Sequence, residues 1–113
     1  MVLEDTKAIV TGGGRGLGRG IALALADAGS DVAVTARTAE EVEETARMVR
    51  ARGRAALALT CDVTDPDGVE RMAAETLSAF GRIDLLVNNA GYACFQRLED
   101  LPLAEWRRTL DVN

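Results

Sequence analysis

The sequence predicts an α/β fold, a doubly wound parallel sheet covered by helices on both faces. Three observations carry this. Four short runs, Ala8–Val10, Asp31–Ala36, Ala55–Thr60 and Leu85–Val87, are apolar almost throughout instead of alternating, as strands covered on both faces are. Between them lie longer stretches whose apolar residues recur at helical spacing, so strand and helix alternate along the chain. A glycine-dense turn, Gly12–Gly18, joins the first strand to the first helix.

That turn is the first chemical signal. Glycine lets the backbone take positive φ and approach a ligand with no Cβ in the way. The helix mouth beyond it offers open N–H groups and partial positive charge to an anion. Together these predict a phosphate cradle and a nucleotide ligand. The spacing Thr11-Gly12-x-x-x-Gly16-x-Gly18 departs from the strict G-x-G-x-x-G pattern, and the phosphate loop of nucleotide hydrolases fails because Arg19 stands where lysine is required.

The elements follow in order. Leu17, Ile21, Leu25 and Ala28 recur at helical spacing and mark the first helix, which Ala28-Gly29-Ser30 ends. Thr38 with Glu41 three residues on reads as a capping box for a second helix, with Val42, Thr45, Ala46 and Val49 inward and Gly53 beyond its end. Its charged faces read as solvated. Asp65-Pro66 opens a third helix, carrying Val69, Met72, Ala73, Thr76, Leu77 and Phe80 inward and closed by Gly81. After the fourth strand come Asn88–Gly91 and a polar loop, and Pro102 starts a last helix with Leu103, Trp106 and Leu110 inward. Right-handed crossovers in a doubly wound sheet give the strand order 3-2-1-4. Such sheets bind ligands at the carboxyl ends of their strands, where Gly12–Gly18, Arg37, Asp62 and Asn88–Gly91 all fall.

Composition excludes several classes. The 113 residues suffice for one domain, residues 1–113, with a core of its own. A net charge of −5 with scattered arginines argues against a nucleic-acid surface. The opening MVLEDTK is no secretory signal, and no apolar run reaches membrane-spanning length, so the expected location is cytoplasmic. Cys61 and Cys94 stand alone and histidine is missing, which argues against a disulfide scaffold or a metal site.

The TGxxxGxG loop, Asp62-Val63 after the third strand, NNAG at Asn88–Gly91 and WRRTLDVN at Trp106–Asn113 together resemble the short-chain dehydrogenase/reductase family over the whole chain. The resemblance implies a Rossmann-type fold with cofactor contacts from Thr11, Gly12, Gly14, Arg15, Gly16, Leu17, Gly18, Arg37, Cys61, Asp62, Val63, Asn89, Ala90 and Gly91. Asp62 would hydrogen-bond the adenine amino group; the rival reading is that it caps a turn. Asn113 matches the family's catalytic Asn, which holds a relay water. The carboxylate that usually recognises a free ribose diol is replaced by Ala36, with Arg37 next and Arg15 inside the loop. In the family, basic residues at these two places bind the adenosine 2′-phosphate, so NADP(H) is expected ahead of NAD(H). The implied partners are a small carbonyl or alcohol substrate and further copies of the full-length enzyme.

The family's chemistry also needs a Ser and a Tyr-x-x-x-Lys. Tyr92 is the one tyrosine, with Gln96 four residues on; Lys7 is the one lysine; Ser30 and Ser78 lie in a turn and on a helix. The chain therefore reads as the amino-terminal half of a longer reductase. A non-catalytic NADP(H)-binding module and an inactive fragment are the alternatives.

Overall fold

The computed structural model describes residues 1–113. Four strands, β1 (Lys7–Thr11), β2 (Asp31–Ala36), β3 (Ala56–Thr60) and β4 (Leu85–Val87), form one parallel sheet in the order β3-β2-β1-β4. The expected Rossmann-type architecture is present. Helices α1 (Gly16–Asp27), α2 (Ala39–Arg50) and α3 (Pro66–Phe80) make the crossovers, and α4 (Leu103–Val112) follows a loop containing a short 3₁₀ turn at Leu98–Asp100.

Alternation along each strand feeds two cores. Val10, Val32 and Val34 pack with Ala22 and Ala26 of α1 and Val42, Ala46 and Val49 of α2. Ile9 and Ala33 point the other way, to Cys61 and to Met72 of α3. Both faces being apolar is why the strands read as unbroken hydrophobic runs.

Several local expectations are corrected. The buried stripe of α1 is Gly18, Ala22 and Ala26, while Leu17 is 76% exposed. The helix lies so close to the sheet that only small residues fit on the contact line. In α3 the buried line is Gly68, Met72 and Thr76, with Leu77 about half exposed. Thr38 and Asp65 stand at the N-cap positions of α2 and α3, yet neither side chain caps its helix. The Glu41 carboxylate turns to Arg15 at 3.6 Å, so no capping box forms. Gly81 does close α3, in the left-handed conformation at φ 82°.

The largest correction concerns α4. Leu103, Trp106 and Leu110 are 61%, 50% and 64% exposed, since no element of this chain covers that face. The opposite stripe, Ala104, Arg108 and Val112 at i, i+4 and i+8, turns toward the carboxyl ends of the strands.

Candidate functional site

A cleft of about 520 Å³ opens at the carboxyl ends of the strands. The glycine loop forms its floor. Gly12 and Gly16 take positive φ, 64° and 55°. A Cβ on Gly18 would stand 2.1 Å from the Gly12 carbonyl oxygen and 2.5 Å from Asn89 Nδ2, so this position admits no side chain. A Cβ on Gly16 would meet nothing within 4 Å, because it would project into the open space at the mouth of α1. No side chain caps α1 and no acid stands in its first turn, so its leading amides and positive end stay available to an anion.

The loop is held from both sides. Arg19 donates to the Gly14 carbonyl at 2.7 Å and to Thr45 Oγ1 at 2.9 Å, tying the turn to α2. On the other side Thr11 Oγ1 accepts from the Asn89 and Ala90 amides at 3.1 and 3.0 Å, and Asn89 Nδ2 donates to the Gly12 carbonyl at 3.1 Å. The asparagine segment after β4 is thereby stitched to the glycine loop after β1. Thr11 itself is buried and does not line the cleft; it is a brace. Thr11→Val is expected to leave two amides short of an acceptor and lower stability by about 1–3 kcal/mol, read from the chemical-denaturation midpoint.

The other expected cofactor residues, from Gly12 through Gly91, all line this cleft. Asp62 fulfils the turn reading: its Oδ1 accepts from Thr64 N at 2.9 Å and Thr64 Oγ1 at 2.7 Å. These bonds, the hydroxyl's first, hold its carboxyl below the usual range. Burial pushes the Cys61 thiol up, with Asp62 adding to the effect, so it lies in the wall as a small apolar group. Asn113 does not line the cleft. Its Oδ1 accepts from Tyr92 N and its Nδ2 donates to Tyr92 O, both at 2.9 Å, fastening the end of α4 to the residue after Gly91.

Sequence reasoning missed Tyr92 and the inner face of α4. The Tyr92 hydroxyl donates to Glu105, and the Arg108 guanidinium lies 4.7 Å from the Tyr92 ring centroid. The Glu105 contact, helped by desolvation, raises the phenol's pKa. The signal available was the pair Arg107-Arg108, polar residues facing opposite the helix's apolar stripe.

A sequence profile described as short chain dehydrogenase matches residues 6–113. The chain belongs to the short-chain dehydrogenase family. This short-chain dehydrogenase chain is 45% identical over 89 residues to an uncharacterised oxidoreductase of Mycobacterium tuberculosis, a match covering 79% of this chain and 34% of that protein. Among solved structures it superposes on an NAD⁺-bound xylitol dehydrogenase with a TM-score of 0.95 at 33% identity, covering 99% of this chain and 44% of that one. It superposes on a metagenomic short-chain oxidoreductase in complex with NADP with a TM-score of 0.92 at 37% identity, covering 99% of this chain and 51% of that one. The chain spans 34% to 46% of the length of the curated relatives it matches.

Proposed function

We propose that this chain forms the NADP(H)-binding part of a reductase that interconverts a small carbonyl compound and its alcohol. The observation that carries the reading is the glycine cradle at the uncapped mouth of α1, with Gly16 open above it and Arg37 at the end of β2 where no carboxylate stands. The residues fit a dinucleotide. The glycine loop and the α1 amides would hold its pyrophosphate, Asp62 and Val63 would border the adenine, and Arg37 and Arg15 would meet a 2′-phosphate. When bound, the nicotinamide supplies the hydride.

Within these residues the proton chemistry is incomplete. An acid/base tyrosine needs a lowered pKa, whereas Tyr92 is held protonated against Glu105. Lys7 ion-pairs with Asp31 at 2.5 Å at the start of the strands, the far end from the cleft. Both facts favour a second reading of the isolated chain as a binding module without turnover. Asn113 is fastened to the Tyr92 backbone and keeps one N–H and one lone pair beyond those bonds.

Calorimetric titration of the 113-residue chain with NADPH and with NADH tests the proposal. Binding of NADPH at least about tenfold tighter is expected, the worth of one charge-assisted phosphate contact. Gly16→Val is expected to abolish binding: its side chain would meet no atom of the fold within 4 Å, while the positive φ of 55° strains a β-branched residue, so the melting midpoint should fall although the circular-dichroism spectrum persists. NADPH binding that survives this substitution undiminished would remove the cradle from the site.

A further inference from the structure

Helix α4 is held differently from the other three. α1, α2 and α3 each bury a line of residues, whereas α4 buries none. No residue of α4 joins either apolar core or packs among the hydrophobic residues around it. At ten residues it is also shorter than the roughly 12–15 at which an isolated helix becomes stable in water. Its order therefore depends on how it is docked.

The hydrogen bonds that join α4 to the rest of the chain meet at Tyr92. The Tyr92 hydroxyl donates to the carboxylate of Glu105 in the first turn of the helix. At the other end Asn113 Oδ1 accepts from the Tyr92 amide and Asn113 Nδ2 donates to the Tyr92 carbonyl, both at 2.9 Å. Between them the Arg108 guanidinium lies 4.7 Å from the Tyr92 ring centroid. One tyrosine thus engages α4 from its first turn to its end. Desolvation and the Glu105 carboxylate also push the Cys94 thiol up, which puts the loop beyond Tyr92 near the same group. On its other side Tyr92 follows the asparagine segment that Thr11 and Asn89 stitch to the glycine loop. Docking leaves one polar atom unmatched, since Arg108 Nε is buried without a partner, a cost set against these bonds.

We propose that Tyr92 is a positioning residue, which docks α4, and Asn113 with it, as a wall of the cleft. Ala104, Arg108 and Val112 line the cleft only while α4 is docked. A ligand that touches them favours the docked state, so its binding and the order of α4 are linked. That coupling rests on the dinucleotide reading of the cleft; the docking by Tyr92 does not.

Amide hydrogen exchange over residues 107–113 of the 113-residue chain, followed by mass spectrometry, reads the docking. Tyr92→Phe removes the hydroxyl and Glu105→Ala its acceptor. Each is expected to speed exchange in that segment about tenfold, the worth of one hydrogen bond to a charged group, and to leave β1 and β2 unchanged. Alanine is the better helix former, so a helix held by its own propensity would respond in the opposite direction. Glu105→Gln still offers an oxygen to the phenol and should keep most of the protection, which assigns the effect to the bond and not to charge at the helix start. NADPH added to the unsubstituted chain should slow exchange in the same segment, and Tyr92→Phe should weaken NADPH binding by no more than about tenfold. Unchanged exchange in both Tyr92→Phe and Glu105→Ala, or equal acceleration across β1 and β2, would overturn the proposal. NADPH that binds without slowing the segment would overturn the coupling alone. An unsubstituted chain that binds no NADPH would overturn the dinucleotide reading, with the exchange rates still deciding the role of Tyr92.

Discussion

Gly18→Ala is expected to cost about 3 kcal/mol of stability and all measurable dinucleotide affinity. The added Cβ would fall 2.1 Å from the Gly12 carbonyl oxygen, 2.5 Å from Asn89 Nδ2 and 2.8 Å from the Gly12 carbonyl carbon. None of these can yield cheaply: the carbonyl is backbone, and the Asn89 amide is already bonded to it at 3.1 Å. Relief means lifting α1 off the loop, which opens the small-residue line of Gly18, Ala22 and Ala26. For a chain of this size the melting midpoint should fall by roughly 15 °C. A Gly18→Ala protein melting within a degree or two of the parent would contradict the close approach on which the cradle is built. The contrast with Gly16→Val separates a glycine required by close packing from one required by a left-handed backbone at the open mouth of α1.

The second large effect lies at the opposite end of the sheet. Asp31 is 8% exposed and accepts from Lys7 Nζ at 2.5 Å, the Ala55 amide at 2.9 Å and Arg54 Nε at 3.2 Å. Asp31→Ala would strand the largely buried Lys7 ammonium and leave the Ala55 amide without its acceptor, while Arg54 keeps Glu4 and Asp5, a loss of about 3 kcal/mol. Burial on its own would raise the Asp31 carboxyl; the Lys7 and Ala55 hydrogen bonds and the Arg54 charge outweigh it and hold it below the usual carboxylate value. A carboxyl depressed in the folded state binds its proton more readily when unfolded. Its contribution is complete above the unfolded value near pH 4 and is lost as pH falls through the folded value. Acid melts of the parent and of Asp31→Asn should therefore converge as pH drops below about 4. The difference isolates this residue from Asp84, which Arg82 and the Lys7 amide depress in the same way. Parallel curves would place the network's worth elsewhere.

Much of the fold was legible because it is set by near neighbours. Strand runs, the Gly81 closure and the loop glycines follow from two-residue and 3.6-residue periods and from positions where only glycine is comfortable. The two misjudged helices have one cause. In α1, Leu17, Ile21 and Leu25 recur at helical spacing, and Ile21 and Leu25 do pack against the core, but Leu17 is exposed and the closest approach to the sheet falls to Gly18, Ala22 and Ala26. In α4, Leu103, Trp106 and Leu110 were turned inward on the same ground, yet this chain offers them no partner and the Ala104–Arg108–Val112 stripe meets the cleft. Hydrophobic period fixes that a helix has two faces. Which face touches what depends on the elements packed against it.

The sequence by itself determined the strand order, the glycine turn between β1 and α1 and the set of loops that gather at one end of the sheet, since each rests on local geometry and on the handedness of crossovers. Only the tertiary structure decided that Thr11 braces the site instead of lining it, that Asn113 is fastened to Tyr92, and that Arg107 and Arg108 enter the cleft unpaired. Thr11 meets the Asn89 amide across 78 residues of chain. Partners so far apart share no periodicity, and they meet only where packing brings their elements together.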